Sequence, residues 1–194
     1  MPQREVSLIL AIPWLSFLMY WAVSAVGVKK DVQQRGSYGA SLIVRVVIIV
    51  ALATWISSGR LAPLVAKIAP YTDHPSLTLQ IVGILLCFAG IAFAIWARVH
   101  IGRNWSPVPT LKEDHELVTS GPYRIVRNPI YTGILLAFLG SALAGGLVYY
   151  FLFVCFLFVF GYRVFREDRL MMERFPNTYP AYRRKTKALI PYVV

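Results

Sequence analysis

Four stretches of this chain hold almost nothing but apolar side chains, and their lengths bracket the width of a lipid bilayer. They cover residues 6–28, 41–57, 77–97 and 132–162. A helix needs roughly 20 apolar residues to cross the hydrocarbon core. Only structures that pair all their backbone groups survive there, which favours helices. The first and third stretches reach that length alone. The second is shorter and contains Arg45, close enough to one end to snorkel toward water. Composition agrees with this reading. Hydrophobic residues make up 57% of the 194 residues and charged ones only 15%, where a soluble domain carries roughly 25% charged residues. A soluble enzyme, a disordered chain and a fibrous repeat are excluded. The expected fold class is an all-α integral membrane protein.

The fourth stretch is too long for one ordinary span and is interrupted by Gly145-Gly146. It fits either a single tilted helix or a helical hairpin. Charge separates the two. The gap after the first stretch carries Lys29, Lys30 and Arg35. The gap after the third carries Arg98, Arg103, Lys112, Arg124 and Arg127. The tail after Gly161 holds eight Lys and Arg residues, whereas residues 58–76 hold only Arg60 and Lys67. Basic loops favour the cytoplasmic side, and the three basic segments share one side only if the fourth stretch crosses twice. The expectation is five transmembrane helices, the last two a short hairpin. The N-terminus lies outside and the C-terminus in the cytoplasm. Trp55, Tyr149 and Tyr150 are expected at the outer interface and Trp96 at the inner one.

The formal net charge is +11, but the bases sit between apolar runs rather than on one solvated face, so no nucleic-acid partner is expected. Arg4 and the Val23-Ser24-Ala25 triplet imitate a secretory signal. The apolar run is longer than the usual 7–15 or so residues, so the segment is read as a retained span. Cys87 and Cys155 lie inside apolar runs, with no Cys/His cluster nearby, and no metal is expected. The C-terminal residues carry no prenylation cysteine. No dinucleotide, Walker, HExxH or Ser-His-Asp pattern is present, and neither His74 nor His100 has a legible partner. Gly140 and Ala144 have the spacing of a helix-packing pair. The chemistry is therefore expected in the loop before the fourth stretch and in the tail.

Two places there could carry it. Asn128-Pro129 opens an apolar run, and Asn at the cap with Pro at the first helical position is a strong helix start. Asn128 then needs no role beyond capping. A helix N-terminus beside Arg127 could also hold an anion. Arg163 and Glu167 are four residues apart and share a helix face. They could form a plain ion pair, although the base precedes the acid, which is the weaker order. Glu167 is also expected near the helix C-terminus, where a carboxylate is disfavoured. Asp168 is rotated by roughly 100° and should not reach the same point.

Several blocks resemble the isoprenylcysteine carboxyl methyltransferase family, which belongs with the membrane phospholipid methyltransferases. They are His115-Glu116-Leu117-Val118-Thr119-Ser120-Gly121-Pro122-Tyr123, Arg127-Asn128-Pro129-Ile130-Tyr131, the hairpin, Glu167-Asp168, and the stretch from Phe175 through Tyr179 to Tyr182. The resemblance covers roughly the C-terminal half, from Asn104 onward. Together with the apolar spans, the expectation is one membrane domain over residues 1–194, with an N-terminal two-helix segment at 1–57 and a methyltransferase core at 77–194. The resemblance implies S-adenosylmethionine as cofactor, held on the cytoplasmic side by the third-to-fourth-helix loop and the tail. The cofactor contacts it implies are Thr110, His115, Leu117, Val118, Tyr123, Asn128, Pro129, Tyr131 and Glu167. Arg163 falls on the substrate-contacting arginine, and Arg163 and Glu167 are the implied catalytic pair. Asn128 stands where the family usually has His, which removes any proton shuttle at that position. Asp168 stands where a second Glu is common.

The implied activity is methylation of the carboxylate of an isoprenylcysteine-like or other lipophilic substrate entering from the bilayer. Methyl transfer from a sulfonium needs alignment and exclusion of water. An α-carboxylate ordinarily titrates at about 3.3–3.7, so it is already ionised near neutrality and needs no base. The alternatives are a phospholipid amine N-methyltransferase, which would need a base, a small-thiol S-methyltransferase, and a non-enzymatic membrane scaffold. A transport role is disfavoured because the spans hold almost no ionisable residue besides Arg45.

Overall fold

The computed structural model describes residues 1–24, 75–102, 105 and 117–190. The expected second span at 41–57, with Arg45 and Trp55, lies outside the described residues, as do Thr110 and His115. Among the described residues the fold is all helical: α1 (Gln3–Ser24), α2 (Leu77–Ile101), a 3-10 turn (Gly121–Arg124), α3 (Pro129–Gly145), α4 (Leu147–Arg174) and the short α5 (Tyr179–Lys185). Three of these helices, α1, α2 and α4, are long and apolar enough to cross a membrane, and α3 is a shorter apolar helix.

Local chemistry sets the boundaries. Ser76 caps α2, its hydroxyl accepting from the Leu79 N–H at 3.3 Å. Pro129 starts α3, where its missing N–H costs nothing. Between α3 and α4 the chain reverses at Gly146, whose φ of 89° suits a residue without Cβ. Phe138 then stacks on Phe156 and Tyr131 on Phe160, with ring centroids 4.6 and 4.5 Å apart. These pairings make α3 and α4 an antiparallel hairpin, as the glycine pair suggested. Only one arm is short: α4 has 28 residues and continues to Arg174, ahead of Pro176.

That length corrects one expectation. Glu167 lies well inside α4, not in its last turn, so the helix C-terminus exerts no appreciable repulsion on it. A second correction concerns Tyr149, expected in an interfacial belt. It is buried, folded under the hairpin turn against Gly145, while Tyr150 is exposed. Trp96 is exposed, as a belt residue would be.

The closest packing joins α2 to α3. Gly83 and Gly90 of α2 face Gly133, Ala137, Gly140 and Ala144 of α3, and the backbones touch. A methyl group added at Gly90 would lie 2.5 Å from the Ala137 backbone nitrogen, and one at Gly83 would lie 2.5 Å from the Gly140 carbonyl oxygen. Small residues permit this approach, and dispersion then acts between backbones. The Gly140 and Ala144 spacing is thus packing.

Helix α1 runs parallel to α2. The Met1 amine donates to Gln80 Oε1 at 2.8 Å at one end. At the other end Arg98 donates to the Ser24 carbonyl at 2.7 Å and to the Gly102 carbonyl at 2.8 Å. Arg98 is buried, its guanidinium over the rings of Trp21 and Trp105. One cation thus serves the C-terminal ends of two helices, where partial negative charge collects. Midway, Trp14 Nε1 donates to the Ser141 hydroxyl at 3.1 Å, which in turn lies 3.4 Å from Cys87 Sγ, so all three buried polar groups are partnered.

Candidate functional site

The open end of the hairpin, opposite Gly146, gathers the polar side chains. Tyr131 sits on the first turn of α3. Arg163 and Glu167 sit one turn apart on α4, facing it. The Tyr131 hydroxyl donates to Glu167 Oε1 at 2.5 Å. Arg163 Nη2 lies 3.6 Å from the same oxygen, and its guanidinium carbon lies 5.4 Å from the centre of the Tyr131 ring. Phe160 backs that ring. The Arg163 and Glu167 side chains are only 15% and 24% exposed. The intrahelical ion pair expected from the sequence is therefore present. It is also one edge of a triangle whose third corner comes from another helix.

Asp168, the next residue on α4, faces away and builds a second cluster. Arg127 grips it with two prongs, Nε to Oδ1 at 3.2 Å and Nη2 to Oδ2 at 2.8 Å, the geometry that makes Arg–carboxylate pairs strong. Tyr179 donates its hydroxyl to the same carboxylate, and Arg183 Nε approaches Oδ2 at 3.3 Å. Arg127 further donates to the carbonyls of Thr186 and Arg183. Arg127 and Asp168 are 9% and 12% exposed at the side chain. This latch joins the loop, α4 and the tail.

The tail then lies along the start of α3. The Arg127 and Asn128 N–H groups donate to the carbonyls of Lys187 and Ala188 at 2.8 and 3.0 Å, and the Thr132 hydroxyl donates to the Leu189 carbonyl at 2.7 Å. Asn128 occupies the cap position of α3, but its side chain makes no capping bond. Its Nδ2 instead donates to the Ala188 carbonyl at 3.2 Å. So Asn128 anchors the tail, and Arg127 and the Asn128 N–H, expected to favour a free anion, are engaged by it.

Tyr123 is buried in the 3-10 turn. Its carbonyl accepts from the Tyr182 hydroxyl at 2.6 Å, and its ring stacks on His100. His100, without a legible partner in the sequence, lies 2.9 Å from the Ser120 hydroxyl. Its ring covers Gly121, whose φ of 57° and lack of Cβ allow the approach. Burial pushes the Tyr123, Tyr179 and Tyr182 hydroxyls above the ordinary phenol range. The Asp168 carboxylate adds to this at Tyr179, and neighbouring Tyr182 and Glu167 add to it at Tyr123. All three stay protonated near neutrality.

Of the residues expected at the site, Tyr131, Arg163 and Glu167 come into direct contact. Asn128 and Pro129 open the helix that carries Tyr131. Leu117 and Val118 are half-buried at the start of the segment leading to Tyr123. Sequence reasoning missed the latch. Asp168 does diverge from Glu167, yet it holds Arg127 and Tyr179. The only hint was that its neighbours Arg127, Tyr179 and Tyr182 fall in the same set of blocks. Among the described residues, no three His, Cys, Asp or Glu side chains group as a metal cage requires.

Residues 78–178 match the profile of a family described as phospholipid methyltransferase. That interval contains α2 from its second residue, the 3-10 turn, the whole hairpin, all of the first cluster, and Arg127 and Asp168 of the second. The chain is 35% identical over 101 residues to the protein-S-isoprenylcysteine O-methyltransferase of Schizosaccharomyces pombe, covering 50% of this chain and 43% of that protein. It is 32% identical over 117 residues to the cobalt-zinc-cadmium resistance protein CzcN of Cupriavidus metallidurans, covering 59% of this chain and 49% of that protein. The matched regions span about half the length of these relatives.

Proposed function

The chain belongs to the phospholipid methyltransferase family, and on that premise we propose that it is a membrane methyltransferase that uses S-adenosylmethionine to methylate the carboxylate of an isoprenylcysteine-like or other lipophilic acceptor. The observation that carries this reading is the half-buried triangle of Tyr131, Arg163 and Glu167 at the end of an apolar hairpin. An acceptor with an apolar tail and a charged head needs such a boundary. The S. pombe relative, by its name, acts on an isoprenylcysteine, which supports the choice of acceptor.

The residues suit the cofactor. A sulfonium cation favours a carboxylate and an aromatic face, and Glu167 and Tyr131 supply them. The Tyr131 hydroxyl and Arg163 both reach Oε1 of Glu167. Leu117, Val118, Tyr123, Asn128 and Pro129 complete the contacts on this reading, with Thr110 and His115 from outside the described residues. When bound, the cofactor supplies an electrophilic methyl group. The protein's part is placement. Arg163, steadied by the Tyr131 ring and Glu167, orients the acceptor carboxylate through its planar fork. The apolar hairpin excludes water around the acceptor. No general base is required, because the attacking carboxylate is already ionised. The wider reading has five spans, the Gly146 turn outside and the C-terminus in the cytoplasm. The concentration of basic residues in the loop and tail supports it.

The test is a labelled-methyl transfer assay on purified protein with three acceptors: a farnesylcysteine analogue, phosphatidylethanolamine and a simple thiol. The proposal requires transfer to the farnesylcysteine carboxylate, recovered as a base-labile ester. Transfer only to the amine or the thiol would replace the acceptor class. No saturable cofactor binding by folded protein would remove the enzyme reading.

A further inference from the structure

The outward face of α4 is apolar for most of its length and then abruptly basic. Phe151, Phe158, Tyr162 and Phe165 are exposed along it. At three- and four-residue steps from Tyr162 the same face continues through Phe165 and Arg166 to Arg169. These spacings keep the residues on one side of a helix. Arg174 at the end of α4, Arg184 and Lys185 of α5, and Lys187 beyond it are exposed as well. Among the described residues of this surface, one exposed carboxylate stands against these cations, Glu173, 3.4 Å from Arg169. That pair is open to water and holds its charges only weakly.

A helix face that meets lipid chains and turns basic without a break meets lipid headgroups at the turn. We propose that the last turns of α4 together with α5 form a docking surface for anionic phospholipid headgroups. The occupant follows from two features: the continuity of the apolar stripe with the basic one, and the scarcity, among the described residues of this surface, of carboxylates to neutralise the cations. Juxtamembrane Lys and Arg clusters of this size draw anionic lipids with a contribution equal to about fivefold in affinity per cation. The cations concerned are separate from the Tyr131–Arg163–Glu167 triangle. Apart from Arg183, which touches Asp168 and is left out of the surface, they are separate from the latch too. The inference therefore stands without the proposed reaction.

Native mass spectrometry of the full chain, released from mixed micelles of phosphatidylglycerol and phosphatidylcholine, reads the surface directly. The wild type should retain phosphatidylglycerol in preference to phosphatidylcholine by roughly tenfold or more, as a few such cations together imply, and raising the salt should erode the preference. The quadruple variant Arg166→Gln, Arg169→Gln, Arg184→Gln, Lys185→Gln should lose the preference, and Glu173→Gln should increase it. The single Glu173 change guards against a quadruple variant that fails to fold, because its sign is opposite. Equal retention of the two lipids by the wild type, or a preference insensitive to salt and to Glu173→Gln, would overturn the proposal.

Discussion

Helix α3 is held by opposite means along its side and at its start. Along its side, the seam with α2 works by removing side chains. Glycine and alanine let two backbones touch, and no charge takes part. At its start, the junction with the tail depends on long polar side chains: a two-pronged Arg127–Asp168 pair, tyrosine hydroxyls and a row of tail carbonyls. The seam fixes where α3 lies. The latch fixes what surrounds its first turn, where Tyr131 meets Glu167. A membrane helix has little hydrophobic force to press it against a neighbour, so close packing serves where lipid surrounds it and charges serve where water reaches.

The difference can be broken from the polar side first. Asp168→Ala leaves Arg127 buried without its carboxylate. Losing one partner of a buried pair costs about 3–5 kcal/mol. The tail should then become cleavable by protease in detergent while the hairpin survives. Intact resistance of the tail would mean the latch is ornamental.

Next in size are the triangle residues, which should separate by function. On the proposed reading Glu167→Ala weakens cofactor binding, while Arg163→Ala leaves it nearly unchanged and damages use of the acceptor. Each loss is about 2–5 kcal/mol, on the order of a hundredfold or more in catalytic efficiency. Arg163→Lys should restore only part, because a point charge lacks the planar fork. Calorimetry for the cofactor and steady-state kinetics for the acceptor measure the two effects independently. Equal, small effects on both would reduce the pair to its intrahelical contact.

The seam should respond to size and not to charge. Gly90→Ala puts a methyl group 2.5 Å from the Ala137 nitrogen. Helix α3 must move away, at a cost of about 1–3 kcal/mol for overpacking. Thermal unfolding in detergent should shift down, with no change in salt dependence. A neutral result would show that the backbones are not in contact. The smallest effect belongs to Arg169→Ala, which removes a pair 77% and 63% exposed. Stability should change by less than about 1 kcal/mol, which makes it the control for the latch.

The same contrast explains what the sequence disclosed. The apolar stretches were legible because lipid imposes one rule on every residue in a span; the Gly145-Gly146 break left a tilted helix and a hairpin both open, and the placing of the basic residues chose the hairpin. The seam was half legible. The spacing of Gly140 and Ala144 pointed to packing, but nothing in it names Gly83 and Gly90 as the other side. The latch was not legible, since Arg127 and Asp168 lie 41 residues apart and only the folded tail brings Tyr179 to them. The end of α4 was misplaced because hydropathy stops near Tyr162 while the helix does not. Arg, Glu, Leu and Met, all good helix formers, carry it on to Arg174. At the triangle, helical spacing disclosed Arg163 with Glu167. Tyr131 joined them only through family resemblance.

The parallel course of α1 and α2 bears on the proposed membrane reading. Helices α1, α2 and α4 point one way and α3 the other. In the membrane reading proposed above, two like-directed neighbours start from the same leaflet. On that proposed reading Met1 and the tail after α4 would lie in opposite compartments, an expectation reached by counting the directions of the described helices, with no appeal to where the charges lie.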